Sequence, residues 1–396
     1  MKEGWEYKTF KDQFSINMGK TPPRGDSSSW DKSKITTNKW VSIADISLNE
    51  GKIIFDTKEY ISDKAAEKIK KVKAGSLLMS FKLTIGKMAF AGDDLFTNEA
   101  IIAIPQNEDY DLHFLYYYLL QYDWRTLTEG NEKVKGATLN KQSIGKILLP
   151  IIPIDEQRSI VSYLDSSFKL IDEIKNKALK SLTEAKALFQ SALAEAMEPK
   201  EGWEEKTLGE IATEMYRGSG IKRDQITPIG YPCLRYGEIY TTYNYSFSEC
   251  ISHTNESIIS PKKYFEKGDI LFAITGESVE DIGKCIAYTG KEKCLLGGDI
   301  VAMKHNQYPQ FLAYALSTKE AIRQKGLGKV KLKVVHTNIP ALKTIRIYLP
   351  NFPTQKRIVS HLDKLSSKVR AIEEKYQKMV EECDALKQAM LRDVFE

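Results

Sequence analysis

The chain has 396 residues, 42% hydrophobic and 28% charged, with 58 Lys and Arg against 53 Asp and Glu for a net charge of +5. With 13 Pro and 24 Gly this composition excludes a mainly disordered chain, and the length exceeds one ordinary core and suits two or three domains. No apolar run reaches the roughly 18 residues of a membrane span, and Lys2, Glu3 and Glu6 stand where a secretory signal needs apolar residues, so a cytoplasmic location without a membrane partner is expected.

The first element in chain order is also the first sign of a repeat. Lys2-Glu3-Gly4-Trp5-Glu6 recurs 198 residues later as Lys200-Glu201-Gly202-Trp203-Glu204, and Ile160-Val161-Ser162-Tyr163-Leu164-Asp165 recurs as Ile358-Val359-Ser360-His361-Leu362-Asp363. Between these ends, short apolar runs bounded by Gly, Pro and Asp predict strands: Trp40 to Ala44, Ser76 to Met79, Ala100 to Ile104 and Ile147 to Leu149 in copy one. Their counterparts are Cys233 to Tyr236, Asp269 to Phe272, Ile300 to Met303 and Ile345 to Ile347. One helix is predicted within each module, at Leu112 to Gln121 and Tyr308 to Ser317, and the long loop Met18 to Asn38 points to function rather than connection.

Each copy closes on a long helix, the first running from Asp155 to Met197 for about 65 Å, with Asp155 and Glu156 at its positive end and no Gly or Pro inside. Its apolar stripe is Ile160, Leu164, Ile171, Ile174, Ala178, Leu182, Ala185, Leu188 and Ala192. The second stripe is Ile358, Leu362, Val369, Ile372, Tyr376, Val380, Cys383, Leu386 and Met390. Two matching stripes predict that the helices pair as an antiparallel coiled coil related by a pseudo-two-fold axis. The expected fold class is therefore α/β (α+β): mixed α/β modules at 1–152 and 199–351, each followed by a coiled-coil helix, at 153–198 and 352–396.

Motifs for catalysis are missing. Gly19-Lys20-Thr21 lacks the earlier glycine of a phosphate loop, since Phe14 occupies that place. The five histidines are scattered, the five cysteines all follow residue 200 without C-x-x-C spacing, and no nucleophile elbow occurs, so neither catalytic nor metal-binding residues are assigned. Basic clusters are present instead. No acidic residue falls between Ile69 and Gly92, between Lys133 and Ile154, or between Ala321 and Leu362, and such Lys- and Arg-bearing loops suit phosphate contacts.

Gly136-Ala137-Thr138-Leu139-Asn140, then Ile147-Leu148-Leu149-Pro150, then Pro153-Ile154-Asp155-Glu156-Gln157-Arg158-Ser159-Ile160 resembles the segment that leads into the long helix in specificity subunits of type I restriction-modification enzymes. In copy two, Pro353-Thr354-Gln355-Lys356-Arg357-Ile358 reads as two residues shorter and without the Glu. The resemblance covers the whole chain. It implies a non-catalytic subunit whose two target-recognition domains each read half of an asymmetric, bipartite double-stranded DNA site. It also implies that the paired helices set the spacer and dock two methyltransferase subunits, with restriction subunits joining through the complex. AdoMet, ATP and Mg would then belong to those partners, and this chain would need no cofactor.

On that reading, base contacts are expected from Lys20, Arg24, Lys82 and Lys87 in copy one and from Arg217, Lys222, Arg223, Arg235 and Lys284 in copy two. Phosphate contacts are expected from Lys133, Lys135, Lys329, Lys331 and Lys333. A nuclease or methyltransferase acting alone is disfavoured by the missing motifs. The other alternative, a coiled-coil scaffold that bridges partners without binding DNA, differs in its outcome in a gel-shift assay with and without a methyltransferase partner.

Overall fold

The computed structural model describes residues 2–127, 135–279, 281–328 and 334–396. The chain forms two compact units, one built from Met1–Ala178 with Lys378–Glu396 and the other from Leu179–Gln377. Two helices, Ile154–Ala196 and Phe352–Phe395, each contribute one half to each unit.

In the first unit a five-stranded sheet has the order Asn17–Met18, Ile101–Ile104, Leu77–Ser80, Met88–Ala91, Ile53–Ile54. The equivalent sheet of the second unit runs Ala212–Arg217, Ile300–His305, Ile270–Ala273, Cys285–Tyr288, Ser246–Phe247. Both sheets are antiparallel except for a parallel last pair. Their three central strands are buried on both faces, which is why the sequence there shows continuous apolar runs rather than alternation. The modules diverge in their second sheet, three-stranded in the first unit (Glu59–Tyr60, Lys39–Val41, Phe96–Thr97) and five-stranded in the second (Ile226–Thr227, Ser252–Thr254, Tyr231–Leu234, Cys294–Leu296, Tyr264–Phe265).

Two predicted strands stop early. After Lys39–Val41 the chain turns into helix Ile43–Leu48, because Ser42 and Asp45 form a reciprocal capping box, and after Tyr231–Leu234 it turns into helix Tyr236–Thr241, where Glu238 accepts the N–H of Arg235. Capping chemistry outweighed the β-propensity of Ile43 and Tyr236. The predicted module helices lie at Leu112–Leu120 and Pro309–Ala315.

The module is joined to its helix in the same way in both units. Gln157, fully buried, donates from Nε2 to the carbonyls of Asp109 (2.8 Å) and Ile152 (3.0 Å) and accepts at Oε1 the N–H of Asp111 (2.9 Å). Gln355 donates to the Pro350 carbonyl (2.9 Å) and Gln307 Oε1 (2.8 Å), and accepts the N–H of Tyr308 (3.0 Å). Further along each helix, Tyr117 donates its hydroxyl to Asp165 (2.5 Å) and Tyr314 to Asp363 (2.7 Å). The two glutamines are 198 residues apart and the helices start 198 residues apart, so the apparent shortening of copy two before its helix is corrected: nothing is deleted there.

Within the first unit the helix halves run antiparallel, with Lys175 on Asp384 (2.6 Å) and Lys387 on Asp172 (2.6 Å) fixing the register. Among the buried and half-buried positions there, one series runs through Gln157, Val161, Leu164, Phe168, Ile171, Lys175 and Ala178 on one helix, and through Val380, Cys383, Lys387, Met390 and Val394 on the other. In the second unit the same series takes Leu182, Ala185 and Phe189 with Gln355, Val359, Leu362, Ser366, Val369, Glu373 and Tyr376. Steps of four and three alternate throughout, as a heptad seam requires.

This seam differs from the predicted stripe at six places, since Ile160 and Ile358 lie one residue before Val161 and Val359, and at the other four the predicted residue is exposed. Ile174, Leu188, Ile372 and Leu386, expected to pair the helices, are between 42% and 59% exposed. Their seam places belong to the next residue in each case, Lys175, Phe189, Glu373 and Lys387. Of the other positions predicted for pairing, Leu164, Ile171, Leu362 and Val369 are buried, whereas Ile160, Leu182, Ile358, Val380 and Met390 are half-buried.

Candidate nucleic-acid interface

In copy one, strand Lys82–Thr84 leaves the central sheet and pairs antiparallel with Lys135–Thr138, with Lys135 opposite Thr84 and Thr138 opposite Lys82. Two acid-free runs far apart in sequence thus meet in one ribbon. The ribbon is anchored at its base, where buried Phe81 donates its N–H to Ala100 (3.0 Å) and accepts the N–H of Leu139 (2.9 Å). Copy two repeats the arrangement. Thr275–Gly276 pairs with Val335–His336, and buried Ile274 bonds to Asp299 and Thr337 (both 3.0 Å) as Phe81 does to Ala100 and Leu139.

Lys20 and Arg24 share a second corner of the first module. Trp40 donates its indole N–H to the Lys20 carbonyl (3.1 Å), and the Lys20 side chain is exposed. The Arg24 guanidinium lies 4.2 Å from the ring centroid of Trp30 and 4.9 Å from that of Trp40, and is gripped by Glu59 through two hydrogen bonds of 2.5 and 3.1 Å. A planar cation held by two rings and a carboxylate is pre-organised, yet more than half of its surface remains open to solvent. Lys87 is different, because Glu50 pairs with its half-exposed ammonium.

In copy two, Lys222 and Arg223 are exposed neighbours at a short 3-10 turn, Arg223–Gln225. Arg217 bonds to the Gly298 carbonyl and to Asp299 (2.8 Å) while keeping most of its side chain exposed. Arg235 is half-buried at the start of helix Tyr236–Thr241. Lys284 turns its ammonium toward the carbonyls of Tyr240 (3.4 Å) and Tyr243 (3.5 Å), and burial pushes its pKa below the usual lysine range. It lines a cavity of about 460 Å³ together with Tyr236, Tyr240 and Asp281.

One member of the long basic run is not a surface group at all: Lys325 is buried, bonds to the Gly283 carbonyl (3.0 Å), and loss of solvent lowers its pKa. Lys133, Lys329, Lys331 and Lys333 lie outside the described residues. What the sequence reading missed is the company these cations keep. Glu59, Trp30 and Trp40 around Arg24 carry no local signature, because they converge from three separate segments. Among the described residues no group of three or more His, Cys, Asp or Glu could hold a metal ion, and no helix is long and apolar enough to cross a membrane.

The paired scaffold has counterparts among solved structures. The chain is similar to one from a structure of a type I R-M system that describes complex assembly and conformational transition, with 19% identity, a TM-score of 0.75, and coverage of 100% of this chain and 98% of that one. It is also similar to the HsdS subunit from Thermoanaerobacter tengcongensis, with 18% identity, a TM-score of 0.51, and coverage of 100% and 97%. The model of the type I restriction modification DNA specificity domain matches twice, at residues 2–184 and 200–382, once for each copy of the repeat. Two matches that together span most of the chain, over two units with the same joints, ribbons and sheet order, place it in the type I restriction-modification DNA specificity family as a DNA sequence-specificity subunit.

Proposed function

We propose that the two modules read different halves of one bipartite DNA site, and that the paired helices set the spacing and receive two copies of a methyltransferase partner. The observation that carries this is a shared scaffold with unlike edges. Lys82 and Leu83 stand where copy two has Thr275 and Gly276, and a three-stranded second sheet stands where copy two has five strands. Base pairs differ in the donors, acceptors and methyl groups that they present in the major groove, so surfaces of unlike chemistry select unlike sequences. Methylome sequencing of a host carrying this chain and its methyltransferase is expected to give a non-palindromic site, and identical half-sites would refute the reading.

The role of the helices has its own test. Removing one heptad from each keeps the seam in phase and shortens the pair by about 10 Å, close to three base-pair steps. The spacer in the methylated site should shrink by about three base pairs while both half-sites persist. An unchanged spacer means that the helices do not measure it.

For docking we assign four exposed apolar residues that stand one place off the seam. Ile174 and Leu386 in the first unit, and Leu188 with Ile372 in the second, each lie one residue before a seam position. In each unit an exposed Ile on one helix is thus matched by an exposed Leu on the other, at positions related by the 198-residue repeat, a repeated pair suited to two copies of one partner. Chemistry, with AdoMet, ATP and Mg, is assigned to the partner subunits, and this chain contributes recognition.

A further inference from the structure

Leu83 occupies the ribbon of the first module in a conformation that a leucine rarely takes. In a regular strand, residues two apart share a face, so Leu83 would follow buried Phe81 inward. Instead its backbone has φ 65° and its side chain is 60% exposed. The turn that imposes this is pinned on both sides: the Ser80 hydroxyl donates to the Thr84 carbonyl, and the Gly86 N–H donates to the Ser80 carbonyl (3.0 Å). Positive φ is strained for a branched side chain, and strain held by its surroundings concentrates at functional positions. Folding alone gives no reason to place a leucine here, since copy two has Gly276 at the equivalent point, two residues after buried Ile274.

The neighbours say what an outward leucine would meet. Lys82 precedes it in the ribbon, so this edge carries a cation that attracts a phosphate backbone, and the exposed leucine stands next to that charge in sequence. The apolar group that double-stranded DNA offers in its major groove is the C5-methyl of thymine. We infer that Leu83 is a specificity-determining residue of the first module, set against the methyl group of one thymine in the half-site that this module reads. The inference rests on the proposed reading of DNA by that module and adds the chemical group that is read. It also gives the second module no counterpart contact, because Gly276 has no side chain to make it.

The test uses the assembled complex with its methyltransferase partner and duplexes bearing the methylated site. Each thymine of the first half-site is replaced in turn by deoxyuridine, which removes only the methyl group. The wild-type complex should lose roughly fourfold in affinity at one thymine, the worth of one buried methyl group. Leu83→Gly accepts the same backbone angle without strain, so it should fold, and it should bind thymine and uracil duplexes alike at that position while the second half-site is read as before. A Leu83→Gly complex that still discriminates thymine from uracil overturns the inference. So does one that weakens both duplexes equally, which would mark Leu83 as a wedge or backbone contact. A wild-type complex with no sequence preference in either half-site would overturn the DNA-reading role and this inference with it, whereas intact preference with unchanged discrimination in the variant overturns the inference alone.

Discussion

Gln157→Glu will destabilise the first unit by about 3–5 kcal/mol, on the order of 10 °C in Tm for a unit of this size, although the side chain changes by a single atom. The amide donates to two carbonyls and accepts one N–H with no solvent to substitute for any of them. A carboxylate keeps the bond from Asp111, leaves the Asp109 and Ile152 carbonyls without a donor, and places a negative charge against them. The sign of the pH dependence follows. Burial beside carbonyls raises the folded-state pKa of the introduced carboxyl group above its unfolded value, so the deficit is smallest at low pH, where the neutral acid donates one hydrogen bond. It grows as pH rises above the unfolded value and reaches its full size once pH passes the folded one. Gln355→Glu should act in the same way on the second unit. Calorimetry across pH checks both, and a change below about 1 kcal/mol at neutral pH would show that the joint relaxes around the lost bonds.

These joints show how far the sequence could be read. The repeat was legible because an offset of 198 relates Trp5 to Trp203 and Asp165 to Asp363, whereas the same offset between Gln157 and Gln355 was hidden by an apparent shortening of copy two. The helix pair was legible as a pair, but its phase slipped by one residue at six positions, four of them exposed. Ile174, Leu188, Ile372 and Leu386 are apolar and fall near the stripe, whereas the true seam residues include Lys175, Glu373 and Lys387, whose charges suggest an outer face. Strict alternation of three and four from Leu164, Ile171 and Ala178 gives the correct phase. Lysines are tolerated there because their stems pack along the seam while the ammonium groups reach Asp384 and Asp172 at its edge. The proposed reading surface was legible only as charge. Whether a lysine faces solvent, as Lys20 does, or turns inward, as Lys284 and Lys325 do, depends on contacts between segments far apart in sequence.

The corrected phase supplies the second large effect. Ile174→Lys with Leu386→Lys should leave the melting temperature of the first unit within a few degrees of wild type, since neither side chain enters the seam, yet reduce the number of methyltransferase copies bound from two to one. Central apolar anchors of an interface are each worth about 2 kcal/mol or more, so the affected site should weaken at least roughly thirtyfold. Native mass spectrometry reads the stoichiometry directly. Leu188 and Ile372, untouched in the second unit, provide the internal control. Retention of two copies at full affinity would remove this patch as the docking surface, and a collapse in melting temperature would return the two residues to the helix interface.

The two units also differ in how they are threaded, which matters while the chain is being made. The second is one continuous stretch, Leu179–Gln377, whereas the first draws on both ends, and Leu391, Val394 and Phe395 sit in its core beside Trp5 and Phe114. On the ribosome, the module translated second has all its residues first. The module translated first must wait, with an apolar cleft open, until the final turns of the second helix emerge to fill it.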